Sequence, residues 1–186
     1  EAIDIILKIW EDQGPFEYKG KFWNVNMPET MYGTLKYFLK PYQKPHPPIW
    51  LGARHINALR RAVRHGDGWM GAGSSDTASF VTAVDRTKMY LEEADRDPGS
   101  FTISKRVYVA VDNDEDRAEG RLKEWFGKRY GNADMASQVS VWGSTAKVTE
   151  KLAKVTGAGA EMVLLNPAFD DMEHLDALAE EVIPNL

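Results

Sequence analysis

The sequence predicts an α/β fold built on parallel strands, and three observations predict it. Short apolar runs alternate with amphipathic segments from Ile49 onward, glycine or Asx turns separate them at the spacing of β/α units, and Met162–Leu165 is apolar on both faces. A strand of that last kind suits a parallel sheet covered by helices, and regular strand-helix alternation is the pattern of α/β proteins.

The chain opens inside a helix. In Glu1–Gln13 the apolar residues Ile3, Ile6, Leu7 and Trp10 recur at helical spacing and give one apolar face. The start is therefore expected to lie within a longer polypeptide, with a trimmed tag or leader as the alternative. Gly14-Pro15 stops this helix through flexibility and a lost donor. Phe16, Tyr18, Phe22, Trp23 and Val25 around Lys19-Gly20 then predict a short aromatic hairpin. From Asn26 to Pro48 prolines recur and periodicity fades, so residues 14–48 read as an insertion: a hairpin followed by a proline-rich loop.

After this excursion the alternation becomes regular. Ile49–Leu51 is the first strand, and Ile56, Leu59, Ala62 and Val63 give the inner face of a helix ending near Gly66. Gly68–Gly71 is the second strand, followed by a helix capped by Ser75 or Asp76 with Phe80, Val84, Thr87 and Leu91 on one side. Beyond the Asp97-Pro98-Gly99 turn, Phe101–Val111 is the third and longest strand. Asp112–Asp114 opens an acidic helix carrying Leu122, Trp125, Phe126 and Tyr130, and Gly131–Val141 is a looser stretch. Gly143-Ser144-Thr145 begins a helix with Val148, Leu152 and Val155, Met162–Leu165 is the fourth strand, and Leu175, Leu178, Ala179, Val182 and Ile183 form the last helix. These β/α units make one domain, residues 1–186, whose sheet is either open or half a barrel.

Composition narrows the function classes. A chain of 186 residues with 43% apolar and 27% charged residues has enough material for a core. A net charge of −5 argues against nucleic acid as a partner, because phosphate backbones need a basic surface. No apolar run approaches a membrane span. The absence of cysteine removes disulfides, thiolate nucleophiles and cysteine metal sites, and fits a cytoplasmic location. Asp112–Asp116 lacks the ligand spacing of a calcium loop and reads as a helix N-terminus, so no metal site is expected.

Several segments together carry a resemblance. The run Pro48-Ile49-Trp50-Leu51-Gly52, the helix Ala58–Ala62, Gly66-Asp67-Gly68-Trp69, Gly143-Ser144-Thr145 with its helix, and Gly157–Leu164 resemble the bacterial luciferase-like monooxygenases in order and spacing. The opening helix and the Phe16–Trp23 hairpin resemble the segment before that family's fifth barrel strand. The resemblance implies the second half, strands five to eight, of a TIM-type (β/α)8 barrel. It also implies FMN, or in a related branch the deazaflavin F420, and oxidation of a small organic substrate with reduced flavin and O2.

The family holds its cofactor phosphate at the loop after the fifth strand, which corresponds to Gly52, Ala53, Arg54, His55 and Ile56. A small residue allows close backbone approach, a helix N-terminus offers free N–H groups, and Arg54 adds charge. The family often carries a second glycine or a serine where Ala53 and Arg54 stand. The competing readings are a plain tight turn at Gly52, a solvated Arg54 and a His55 without a ligand. No catalytic residue is assigned. Elsewhere the simpler readings lead: Gly71–Ser75 as a turn rather than an anion loop, Trp69 as core although placed where a barrel strand aims inward, and Gly143–Thr145 as a cap. His65 suits a helix C-terminus, and His46 and His174 have no partner in sequence.

Half a barrel exposes strand edges and an apolar sheet face, so pairing is expected, as a homodimer or with a complementing half-barrel. The alternative function is a non-catalytic half-barrel that binds a ligand or oligomerises.

Overall fold

The computed structural model describes residues 1–11, 15–29 and 40–186. Gly14 and the middle of the Asn26–Pro48 excursion, residues 30–39, lie outside them. The chain divides into two compact units, Glu1–Ile49 and Trp50–Leu186.

In the first unit α1 spans Ala2–Glu11, and the strands β1 (Phe16–Lys19) and β2 (Asn24–Met27) pair antiparallel with Lys19 opposite Asn24. The expected hairpin is present, but Phe22 and Trp23 sit in its turn and are exposed. That turn is tied to the chain start. The Glu1 carboxylate accepts the N–H groups of Lys21, Phe22 and Trp23 at 2.8, 2.9 and 3.1 Å. These donors, Phe22 first, hold its pKa below the usual carboxylate value. A Cβ at Gly20 would lie 2.5 Å from Glu1 Oε2, so a larger residue there would displace the carboxylate from its three donors.

The second unit holds the four expected strands and their helices together with a short helix and a fifth strand: β3 (Trp50–Ala53), α2 (Ile56–His65), β4 (Gly68–Gly71), α3 (Thr77–Glu93), β5 (Thr102–Val111), α4 (Glu115–Tyr130), α5 (Met135–Val139), β6 (Ser140–Gly143), α6 (Thr145–Gly157), β7 (Met162–Pro167) and α7 (Asp171–Ala177). The short helix α5 and the strand β6 lie outside the expected set. All of its strand pairs are parallel. The helices start where their caps dictate. His55, Asp76, Asp114 and Ser144 each accept a first-turn N–H, and Gly131, at φ 68°, closes α4 in the left-handed region. The final segment differs from a single helix: α7 gives way to a π-helical turn at Leu178–Val182 and a 3-10 turn at Ile183–Asn185. Pro184 lacks the N–H that a longer helix would need.

β5 organises the sheet. Residues 102–105 pair with β4 and residues 108–111 with β6, while residues 104–109 pair with β7. Ser104 thus has partners on both sides in β4 and β7, and Tyr108 in β6 and β7, so β4 and β6 share one edge of β5 and β7 occupies the other. The strand β6 begins inside the stretch read as loose, Gly131–Val141, and runs on to Gly143; its four residues, a serine and a glycine among them, are too few to show a strand in sequence.

Both faces of the sheet carry helices at β5: on one, Tyr108 and Ala110 pack against Ala118, Leu122 and Phe126 of α4, and the other holds the larger core. Ala53, Trp69, Ile103, Val107 and Val109 pack there against Leu59, Phe80, Val84, Val148 and Leu152 from the helices. Fully burying side chains of this size contributes roughly 1.5–3 kcal/mol each relative to leaving them exposed. The face of Tyr108 is open around β7, where Met162 is 50% and Leu164 48% exposed. The expectation that helices cover both faces of this strand is corrected: its apolar residues alternate between a packed and an open side.

Candidate functional site

The parallel strands bring all their C-terminal ends to one side of the sheet. β3 and β4 stop at the paired residues Ala53 and Gly71, level with Lys105, whereas β5 runs on to Val111. This difference in length makes a step. Over it lies a cavity of about 420 Å³, whose floor is the loops at Gly52–Arg54 and Met70–Ser74 and whose wall is Arg106, Tyr108 and Tyr130. A larger groove of about 940 Å³ runs beside α3 and the following turn, along Asp85, Lys88 and Glu92, away from the strand ends.

Each wall residue is fixed. Arg106 donates through Nε and Nη2 to Asn166 Oδ1 at 3.0 and 2.5 Å, and its guanidinium lies 4.8 Å from the Tyr108 ring centroid. Tyr108 and Tyr130 share a hydroxyl hydrogen bond of 2.5 Å. Burial, together with that bond, pushes the Tyr108 pKa up to about 12. On the floor, Arg54 Nη1 donates to Ser74 Oγ at 3.2 Å and links the two loops. The cavity is lined by two arginines and no carboxylate, on a chain of net charge −5. The formal side-chain charge of its lining is therefore positive.

Beneath the floor, Lys105 is 2% exposed and donates from Nζ to the carbonyls of Ala72, Ser75 and Arg106 at 2.5, 2.9 and 3.0 Å. Burial lowers its pKa to about 8, against the opposing pull of Asp76 and with a smaller push from Arg54.

Gly52, Ala53 and Arg54 line the cavity, while His55 and Ile56 do not. His55 caps α2: its Nδ1 accepts the Asn57 N–H at 3.2 Å and its carbonyl accepts those of Ala58 and Leu59. Gly52 does not avoid a clash. A Cβ there would meet nothing within 4 Å, and its φ lies outside the left-handed region. Trp69 is core, as its residue type suggested, but on the side of the larger core, stacked 5.5 Å from Phe80. Lys105, Arg106, Tyr108, Tyr130 and Asn166 were not singled out from the sequence. The signal was a Lys-Arg pair between Ile103 and Val107, two consecutive charges inside a strand with no other charged residue.

A second cavity, of about 640 Å³, lies at the ends of β5 and β7. Two ion pairs lie in it, Asp112 with Arg117 and Asp170 with Arg121, beside the further carboxylates Glu173 and Glu181, and Phe169 stacks 3.9 Å from the Arg121 guanidinium. Among the described residues no cluster of three His, Asp or Glu has the arrangement of a metal site, and no helix is long and apolar enough to cross a membrane.

The sequence model of the luciferase-like monooxygenases matches residues 1–162. The chain belongs to this family. Among curated relatives of this luciferase-like chain, the oxygenase component of a flavin-dependent trigonelline monooxygenase from Acinetobacter baylyi is 36% identical over 66 residues, which are 36% of this chain and 16% of that protein. Among solved structures, an F420-dependent secondary alcohol dehydrogenase in complex with an F420-acetone adduct superposes with a TM-score of 0.80 at 16% identity, covering 99% of this chain and 59% of that one. The oxygenating constituent of 3,6-diketocamphane monooxygenase from Pseudomonas putida, in complex with FMN, gives 0.65 at 17% identity, covering 100% of this chain and 62% of that one. At such identities the likeness establishes the shared α/β fold. The luciferase-like chain spans about three fifths of the length of these structures.

Proposed function

We propose that this chain supplies the phosphate-binding side of a flavin-dependent oxidoreductase of the luciferase-like type, corresponding to strands five to eight of the (β/α)8 barrel. FMN is the cofactor, with F420 as the alternative, and the substrate is a small organic molecule oxidised with reduced flavin and O2. The observation that carries the reading is the pair Arg54 and Arg106 on a cavity at the strand ends that no carboxylate lines; at Gly52 the backbone is open to close approach, since a Cβ there would meet nothing within 4 Å.

The residues present fit such a group. Gly52 and Ala53 would allow a phosphate to approach the backbone, and Arg54 and Arg106 would offset its charge, while His55 and Ile56 begin the helix that follows this loop. When bound, the flavin supplies the electron-transfer chemistry that no side chain here can perform. The chain binds and orients it: Asn166 keeps the Arg106 guanidinium in place, and the Tyr108–Tyr130 pair closes one wall with rigid aromatic surface.

The reading includes a partner. Met162 and Leu164 leave an apolar strip on the open face, which a second copy of the chain or a complementing half-barrel would cover. The same strip favours a second reading, a non-catalytic module that binds a ligand or oligomerises. Fluorescence titration separates them. Quenching of FMN or F420 by the folded chain at micromolar concentration supports the enzyme reading, and silence with both leaves the module. Light scattering of the same sample is expected to give a dimer or larger, and a stable monomer would remove the partner from the proposal.

A further inference from the structure

Lys105 sits in the middle of a parallel strand, yet its ammonium is hydrogen-bonded to no carboxylate. Its three protons go to three carbonyl oxygens, two of them in the Ala72–Ser75 turn. The Ala72 oxygen also accepts the Ser75 N–H at 3.1 Å and the Ser75 hydroxyl at 2.8 Å. A carbonyl held by three donors is not free to rotate. Because a trans peptide points its N–H opposite to its C=O, the Gly73 N–H is turned away from Lys105.

The direction matters because side chains alternate along a strand. Lys105 lies on the side of the larger core beside Phe80, so Arg106 and Tyr108 face the other way, into the cavity. The Gly73 N–H faces with them, and among the described residues it has no acceptor in the chain. Position 73 also excludes any larger residue, since a Cβ would lie 2.8 Å from Tyr108 Cε2. The backbone has been brought against the cavity wall with a donor left over.

We propose that Lys105 is a positioning residue, holding the Ala72–Ser75 turn so that the Gly73 N–H, between Arg54 and Arg106, donates to a phosphoryl oxygen in the cavity. This rests on the reading that the cavity takes an anionic group and extends it from the end of β3 to the end of β4. The phosphoryl group belongs either to the flavin or to a phosphorylated substrate, and the chemistry of recognition is the same.

The test is an amide NMR titration of the full chain with inorganic phosphate, then with FMN and with riboflavin, for the wild type and Lys105→Met. Phosphate is expected to shift the Gly73 amide in the wild type, and the variant is expected to bind phosphate about tenfold more weakly, the size of one hydrogen bond to a charged group. If the variant also loses the preference for FMN over riboflavin, the phosphoryl group is the flavin's. If it keeps that preference while losing free phosphate, the group is a substrate's. A Gly73 amide unmoved by phosphate in the wild type overturns the proposal whether or not the variant folds, as does a folded variant with undiminished phosphate affinity. Absence of FMN and F420 binding with a phosphate-dependent Gly73 shift would remove the flavin reading and leave this one standing.

Discussion

The indole N–H of Trp69 donates to the carbonyl of Ala53 at 2.9 Å, so the largest core side chain of β4 is bonded to the last residue of β3, where the cavity floor begins. Core and site meet in that bond. Trp69→Phe preserves a ring against Phe80 but leaves the Ala53 oxygen short of a donor in a buried place. The expected cost is about 1–3 kcal/mol of stability, read by urea denaturation, together with weaker flavin binding. Unchanged stability would show that the oxygen finds another partner.

Gly52→Ala separates architecture from recognition. With nothing within 4 Å of the new methyl group and an ordinary φ, stability should stay within about 1 kcal/mol of the parent or rise slightly. FMN affinity should nevertheless fall by about tenfold or more, because the methyl occupies the space left for the phosphate. A variant that binds FMN as well as the parent would return Gly52 to the status of a turn residue.

Two buried groups give stability a pH dependence of opposite sign. Lys105 has a folded pKa of about 8 against an ordinary 10.5, so the unfolded chain binds the extra proton between those values. Its contribution to stability is fully present above 10.5 and is lost as pH falls through 8. Tyr108 has a folded pKa of about 12 against 10.0, so its contribution is present below 10 and is lost as pH rises toward 12. Denaturation measured from pH 8 to 11 should therefore show a rising Lys105 component that Lys105→Met abolishes. The falling component above pH 10 should be reduced in Tyr108→Phe.

Much of the scaffold was legible because it follows from local rules. Gly68–Gly71 and Met162–Leu165 are short apolar runs bounded by breakers, and Asp76, Asp114 and Ser144 cap where their side chains can reach an N–H. What the sequence hid is relational. β6 is a strand only because the second half of β5 offers it an edge, and Met162 and Leu164 look like buried residues until the sheet shows one side open at β7. At the site, the loop at Gly52–Arg54 was visible as a strand-to-helix turn. The opposing wall was not, since Arg106, Tyr108, Tyr130 and Asn166 come from three elements and meet only in space.

The way β5 shares its edges also bears on how the molecule can assemble. β4, β6 and β7 all pair with it, and of the sheet only β3 takes its partner elsewhere. The connections that return the chain to β5 enclose whole helices, and such distant closures are entropically late events. β3, β4 and β5 can add in chain order, but β6 and β7 must both return to β5. A chain interrupted before Val111 would be left with β3 and β4 but without the complete hub on which β6 and β7 dock.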